Sequence, residues 1–343
     1  MAIRFMEGFD GVLSATQLVR KWGAVFSTPT LQASGRNGGG NILLVSGSNM
    51  EVGVVIENDT IIFGAAINPI APRTANANLF DVSGRNSAVQ IRLRLNSSDS
   101  KIEILRSGTT SIGFTDVALL SGTYTYVETK LFCHNSIGTI EIRFDNVTVF
   151  TLGPGNTQGT TEAFINSLRV QGDSGAGVRM DDLYVADSSG SKNNDFQGNV
   201  RVDTLVPTVD DVAEFDTTFP ASPTNHFSKV DEITGVDEDT TYNETPTNGD
   251  RDIFEMSDLP VHPVPAVVLA VQPWSYAKKQ QTGDVSVRHL VEPLVTIFNQ
   301  LQQGGNAEDW HVMQNDILED NPETMSDWLE SEVDAAKFGM EVV

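Results

Sequence analysis

From Val89 to Leu95 the apolar residues Val89, Ile91, Leu93 and Leu95 alternate with Gln90, Arg92 and Arg94. A period of two fits a half-buried strand and no helix. Short segments of the same β-branched character recur at Asn41 to Val45, Val52 to Ile56, Thr60 to Phe63, Lys101 to Leu105, Thr123 to Phe132, Thr139 to Phe144 and Asn146 to Leu152. Clusters of Gly, Asn, Ser and Asp separate them and supply the turns. Gly53 interrupts the second segment, which marks a bulge or weakens that strand. The run from Tyr124 to Leu131, a turn at Asn135 to Gly138, and Ile140 with Ile142 predict a hairpin with one buried face. Many short strands and few helical stretches predict an all-β sandwich or jelly roll.

A chain of 343 residues has material for two domains. The single cysteine, Cys133, permits no intrachain disulfide and no cysteine-based zinc site. The opening MAIRFMEGFDG lacks a basic segment followed by an apolar run, and no stretch approaches the length of a membrane span. Neither an export signal nor membrane insertion is expected. Charge divides the chain unevenly: residues 1–190 hold 14 Lys/Arg and 17 Asp/Glu, and the remainder holds 8 and 29. So acidic a second half repels phosphate backbones, and no nucleic-acid partner is expected.

Phe9-Asp10-Gly11, Trp22, the loop Gly35-Arg36-Asn37-Gly38-Gly39-Gly40, the strand around Arg92, Tyr126 to Lys130, Gly138 to Ile142 and Met180-Asp181-Asp182-Leu183-Tyr184-Val185 together resemble a concanavalin A-like, laminin-G-like jelly roll of tailed-phage and prophage virion proteins. The resemblance covers roughly residues 5–190 and implies that the first and last strands lie side by side. On the residues alone, Phe9, Trp22 and Tyr184 read as core aromatics, and Gly38 to Gly40 as positive-φ positions of a tight loop. Arg36 reads as the partner of Asp181 or Asp182, pinning that loop to the sheet edge.

Three regions are expected: a lectin-like jelly roll (1–190), an extended acidic arm (191–263) and a smaller C-terminal β-sandwich-like region (264–343). Asn193 to Val202 resembles the phage family's extension, with a short strand returning to the sandwich. The stretch 206–261, dense in Thr, Pro and Asp, reads as ordered loop. The carboxylates of Asp231, Glu232, Asp237, Glu238 and Asp239 invite a calcium reading, but their spacing does not fit an EF-hand, and a solvated acidic loop is the expectation. Apolar alternation returns at Val267, Leu269 and Val271 and again at Val285, Val287 and His289 to Val291. Leu294 to Gln303 reads as strand, with helix the alternative. Asn321-Pro322-Glu323-Thr324, Trp328 and Phe338-Gly339 resemble the C-terminal signature of the same phage proteins. A short helix within Thr324 to Ala336 is expected, with Trp328 against the sheet and Phe338 opening the closing strand.

Catalytic chemistry is not signalled. Hydrolases on such jelly rolls place carboxylates as Glu-x-Asp-x-x-Glu on one strand, and no such triplet occurs; Asp181 and Asp182 are consecutive and would face opposite sides. His134, His226, His262, His289 and His311 are scattered and read as loop or surface residues. Cys133 reads as a small buried hydrophobe. The expectation is therefore a chain with no enzymatic activity, no catalytic, cofactor-binding or metal residues and no cofactor. Its expected role is that of a phage virion structural protein, made in the bacterial host cytoplasm. A tail-associated place in a fibre or at the baseplate periphery is expected; the alternatives are a capsid decoration or cement protein, or a carbohydrate-binding module. Expected partners are other virion proteins, copies of itself and host-surface glycan.

Overall fold

The computed structural model describes the chain except residues 1, 11–14, 23, 28, 45–46, 54–58, 71–73, 173–176, 223–224, 233–235, 263–265, 280–285, 301–302, 305–309 and 315. Gly11, Val45, Val54, Val55, Ile56, Val285, Leu301 and Gln302, used in the readings above, lie outside the described residues. The chain is all-β and divides into two compact units, Met1–Val202 and Asp203–Val343. Among the described residues no helix is long and apolar enough to cross a membrane.

The first unit contains β1 (Ile3–Glu7), α1 (Ala15–Lys21), β2 (Ala24–Ser27), β3 (Thr30–Gln32), β4 (Asn41–Leu44), β5 (Asn49–Gly53), β6 (Thr60–Pro69), β7 (Ala77–Ser83) and β8 (Val89–Leu95). It continues with β9 (Ile102–Arg106), β10 (Thr110–Phe114), β11 (Thr125–Phe132), β12 (Gly138–Phe144), β13 (Val147–Gly155), β14 (Ser167–Gln171) and β15 (Val178–Asp187). An eight-stranded sheet runs β13-β12-β11-β6-β15-β4-β3, with β1 also on β15; a seven-stranded sheet runs β10-β9-β8-β7-β14-β5-β2. All pairs in both sheets are antiparallel.

Alternation explains the two faces. On β11, Val127 and Leu131 point into the core with Phe63, Ala65 and Ile67 of β6 and Ile140 and Ile142 of β12. Their neighbours Tyr126, Glu128 and Lys130 must then stand on the outer face of the large sheet. From the other sheet Phe80, Ile91 and Leu93 close the core. Phe9 and Trp22 sit within it as expected, stacked with ring centroids 6.2 Å apart. Cys133, one residue past β11, is fully buried and free, and burial pushes its thiol up to about 12. The first and last strands pair, with Met6 opposite Tyr184.

The second unit contains β16 (Pro207–Ala213), β17 (Thr217–Phe219), β18 (Tyr242–Glu244), β19 (Arg251–Met256), β20 (Trp274–Ala277), β21 (Ser286–Glu292), β22 (Phe298–Asn299), β23 (Gln303–Gly304), β24 (His311–Gln314), α2 (Glu330–Ala335) and β25 (Lys337–Val342). A six-stranded sheet runs β16-β19-β25-β21-β22, with β23 on β21; β17-β18 and β20-β24 are two-stranded ribbons. The stretch 206–261, expected as ordered loop, thus contributes β16 to β19, and Ile253 and Phe254 are buried. Val267 and Leu269 lie in no strand, and Val271 makes only an isolated bridge to Leu318. The expected helix is the six-residue α2, Trp328 packs with Val291, Val333 and Ala336, and Phe338 lies in the closing strand.

Candidate functional site

The outer face of the large sheet gathers the polar and aromatic side chains with the most constrained surroundings. Tyr126 and Glu128 come from β11, and Asp181, Asp182 and Tyr184 come from β15 across β6. Gly64 of β6 lies between them because a Cβ there would meet the rings of Tyr184 at 2.7 Å and Tyr126 at 2.8 Å. The glycine leaves the space in which two tyrosine rings lie on the sheet.

A bulge in β15 reorganises its carboxylates. Asp181 is opposite Ala66 and Tyr184 opposite Gly64, so β15 carries one residue more than β6 over this step. Asp182 absorbs it with φ at 52°, a left-handed conformation that aspartate tolerates better than most residues. Asp181 and Asp182 therefore do not face opposite sides, as strand alternation predicted. Asp181 Oδ2 accepts the Arg36 backbone N–H at 2.7 Å, and Asp182 Oδ2 accepts Arg36 Nη1 at 3.0 Å. The expected pairing of Arg36 is present with Asp182, whereas Asp181 takes only the backbone N–H, and the guanidinium also lies 5.3 Å from the Tyr126 ring centroid. In the loop itself only Gly38 has positive φ; Gly39 and Gly40 are required because a Cβ would collide with the Asp10 carboxylate and the Phe9 carbonyl.

Residues 193–202 cover this face without forming a strand, where a short returning strand was expected. Glu128 Oε1 accepts the backbone N–H groups of Gln197 and Gly198, each at 2.9 Å, and the Tyr184 hydroxyl at 2.6 Å. Asp182 Oδ1 accepts the Val202 N–H at 3.0 Å, Lys130 pairs with Asp195 at 2.9 Å, and Arg143 lies 3.8 Å from the Phe196 ring centroid. Tyr184, read as a core aromatic, is buried beneath this cover and not in the sandwich core. Burial raises the Glu128 carboxyl above its ordinary range although three donors oppose it, and burial carries both tyrosine hydroxyls well above theirs.

Burial and the neighbouring Asp182 push Asp181 up to about 8. The folded state then binds more protons than the unfolded chain between the ordinary aspartate value of 3.8 and about 8. Asp181 stabilises the fold fully below that window and progressively less as pH rises through it. We expect Asp181→Asn to flatten the loss of stability from pH 4 to pH 8 in urea titrations, whatever constant offset the substitution adds. An unchanged slope would refute this assignment.

His289, buried in β21, departs from the expected loop or surface placement, and His226 lies in a loop as expected but is buried. His226 is buried with Nδ1 2.9 Å from Asp252 Oδ2, and His289 is buried with Nε2 2.8 Å from Ser275 Oγ. In the acidic loop, Glu238 accepts the Tyr276 hydroxyl at 3.0 Å, Asp239 pairs with Lys278 at 2.9 Å, and Glu232 accepts the Thr241 hydroxyl at 2.8 Å. The outer-face cluster was not assembled from sequence, since Tyr126 and Glu128 appeared there only as strand residues. Their spacing of two, with Lys130, was the available signal.

No family model matches the chain, and no curated protein matches it. Solved structures are similar to it. An endo-β-1,4-glucuronan lyase from the fungus Trichoderma reesei is 13% identical over 53% of this chain and 95% of its own, with a TM-score of 0.40. Alginate lyase Aly36B is 10% identical over 55% of this chain and 96% of its own, with a TM-score of 0.38. A Trypanosoma rangeli sialidase is 11% identical over 43% of this chain and 25% of its own, with a TM-score of 0.32. The expectation of a chain without enzymatic activity is corrected here, because these neighbours are lyases and a sialidase.

Proposed function

We propose that the chain is a phage virion protein, tail-associated, whose first unit contacts glycan on the host surface. The observation that carries the glycan reading is the end of the outer face of the large sheet where the half-buried Tyr124 and Arg179 stand beside the buried group of Tyr126, Arg36 and Asp181. Aromatic rings offer an apolar surface to the C–H face of a sugar, while carboxylates, guanidinium groups and hydroxyls meet its hydroxyls. Tyr184 lies buried beneath residues 193–202 and Tyr126 beneath Arg36, and Tyr124 beside them is half-buried. Contact thus falls at the Tyr124 end of the face.

The virion placement is supported by the resemblance at both ends of the sequence to tailed-phage proteins. Multiple copies on a particle would raise weak single-site binding through effective concentration. Its partners in that setting are other virion proteins and further copies of itself. Gold-labelled antibody on intact particles tests the placement: label at the tail is expected, label on the head would assign a decoration role, and unlabelled particles would overturn the virion reading. Binding of the full chain to host cells, competed by purified surface polysaccharide, tests the glycan reading, which fails if the polysaccharide does not compete.

A further inference from the structure

At one end of the outer face, three polar side chains remain outside the network that holds residues 193–202. Arg179 of β15 is the cross-strand partner of Asn68 of β6, and Thr125 of β11 is the partner of Ile67. Ile67, Val178 and Met180 belong to the sandwich core, so Asn68 and Arg179 stand on the opposite face. Tyr124 precedes Tyr126 by two residues and shares that face. The contacts of the covering segment run from Lys130 to Asp182 and Arg36 and include none of these three.

Each of the three has unused hydrogen-bonding capacity. Asn68 is 5% exposed, and its Oδ1 is buried without a hydrogen-bond partner. The Tyr124 hydroxyl is likewise buried and unpartnered, and the residue as a whole is half-buried. Native proteins leave few such atoms unsatisfied. The Arg179 guanidinium donates from Nε to Gln32 Oε1 at 2.9 Å, and no carboxylate pairs with it among the described residues. The other arginines of this face are neutralised, Arg36 by Asp182 and Arg143 by Glu141.

We propose that Arg179, Tyr124 and Asn68 form a subsite for the carboxylate-bearing ring of an acidic saccharide. This rests on the glycan reading above and adds the chemical class. The free edge of the guanidinium suits a carboxylate, which accepts two parallel N–H bonds from it. Asn68 Oδ1 and the Tyr124 hydroxyl, both buried, each offer a hydrogen bond to a ring hydroxyl once the ligand displaces the side chains that cover them. The local charges permit an anion. Asp182 is paired with Arg36, and Asp181, pushed up to about 8, is largely protonated at neutral pH.

Titration calorimetry on the full chain at pH 7 tests this with oligogalacturonate, with sialyl-lactose, and with the methyl ester of each. Binding of at least one acid is expected, the two acids showing whether a uronate or a sialic acid is the source of the carboxylate, with its ester weaker by about tenfold or more. Arg179→Gln is expected to weaken the acid by a similar factor and to abolish the difference between acid and ester. Acid and ester bound equally well by the unmodified chain would overturn the subsite without any variant being needed. Arg179→Gln that retains full preference for the acid would do the same. If only neutral host glycans bind, the subsite falls and the glycan reading stands; if no saccharide binds, both fall.

Discussion

Arg36→Ala is expected to destabilise the first unit by about 3 kcal/mol or more, because it removes the guanidinium that pairs with the buried Asp182 carboxylate. The Asp182 side chain is 4% exposed and that of Arg36 18%, so solvent offers little compensation. Arg36 also donates from Nη1 to the Val200 carbonyl at 2.9 Å and from Nη2 to the Asn199 side chain, and it lies against the Tyr126 ring. One side chain thus joins the 35–40 loop, the bulge of β15 and the covering segment. Arg36→Lys keeps the charge but not the fork, and should recover only part of the loss. Urea titration gives the stability change, and hydrogen exchange should show residues 196–202 losing protection first. A loss below about 1 kcal/mol, the range of an exposed ion pair, would refute the central place given to Arg36.

Trp328→Ala is expected to cost the second unit about 3–5 kcal/mol, the range for emptying a large aromatic site. Trp328 is 2% exposed, packs on Val291, Val333 and Ala336, and donates from Nε1 to the Leu318 carbonyl at 3.2 Å. Leu318 in turn bridges Val271, so the indole secures two irregular segments as well as the sheet. Against a total stability of about 5–15 kcal/mol for a typical domain, such a loss leaves the unit marginal. Segment-resolved hydrogen exchange should lose protection in β19, β21 and β25 and keep it in β6. Retained protection in all three strands would show that the tryptophan is not the centre of this core.

The strand Val89–Leu95 matches its expected bounds because alternation is strict there, with Ile91, Leu93 and Leu95 in the core, although Gln90 of the polar face is buried as well. β6 was expected to end at Phe63 but runs to Pro69. Gly64-Ala65-Ala66 lacks the β-branched signature, and the segment is strand because it is central and covered on both faces. The acidic β16 was illegible for a related reason. As an edge strand with mostly exposed side chains it carries Asp210 and Asp211, so no buried alternation marks it.

The site was legible only in pieces. Arg36 with Asp181 or Asp182 follows from charge, whereas the bulge that turns both carboxylates to one side depends on a single left-handed residue. Glu128 receiving two backbone N–H groups from 69 and 70 positions away leaves no trace in local sequence. Asn68 and Arg179 come from neighbouring strands and Tyr124 from the residue just before a third, and only the register of the sheet brings them together.

The contact with glycan that we propose falls at the Tyr124 end of the outer sheet face of the first unit. Hydrogen exchange on the full chain, with and without saturating host-surface polysaccharide, tests it most directly. Added protection is predicted in residues 122–126, 66–70 and 177–181. Protection confined to residues 203–343, or spread over the seven-stranded sheet, would contradict it.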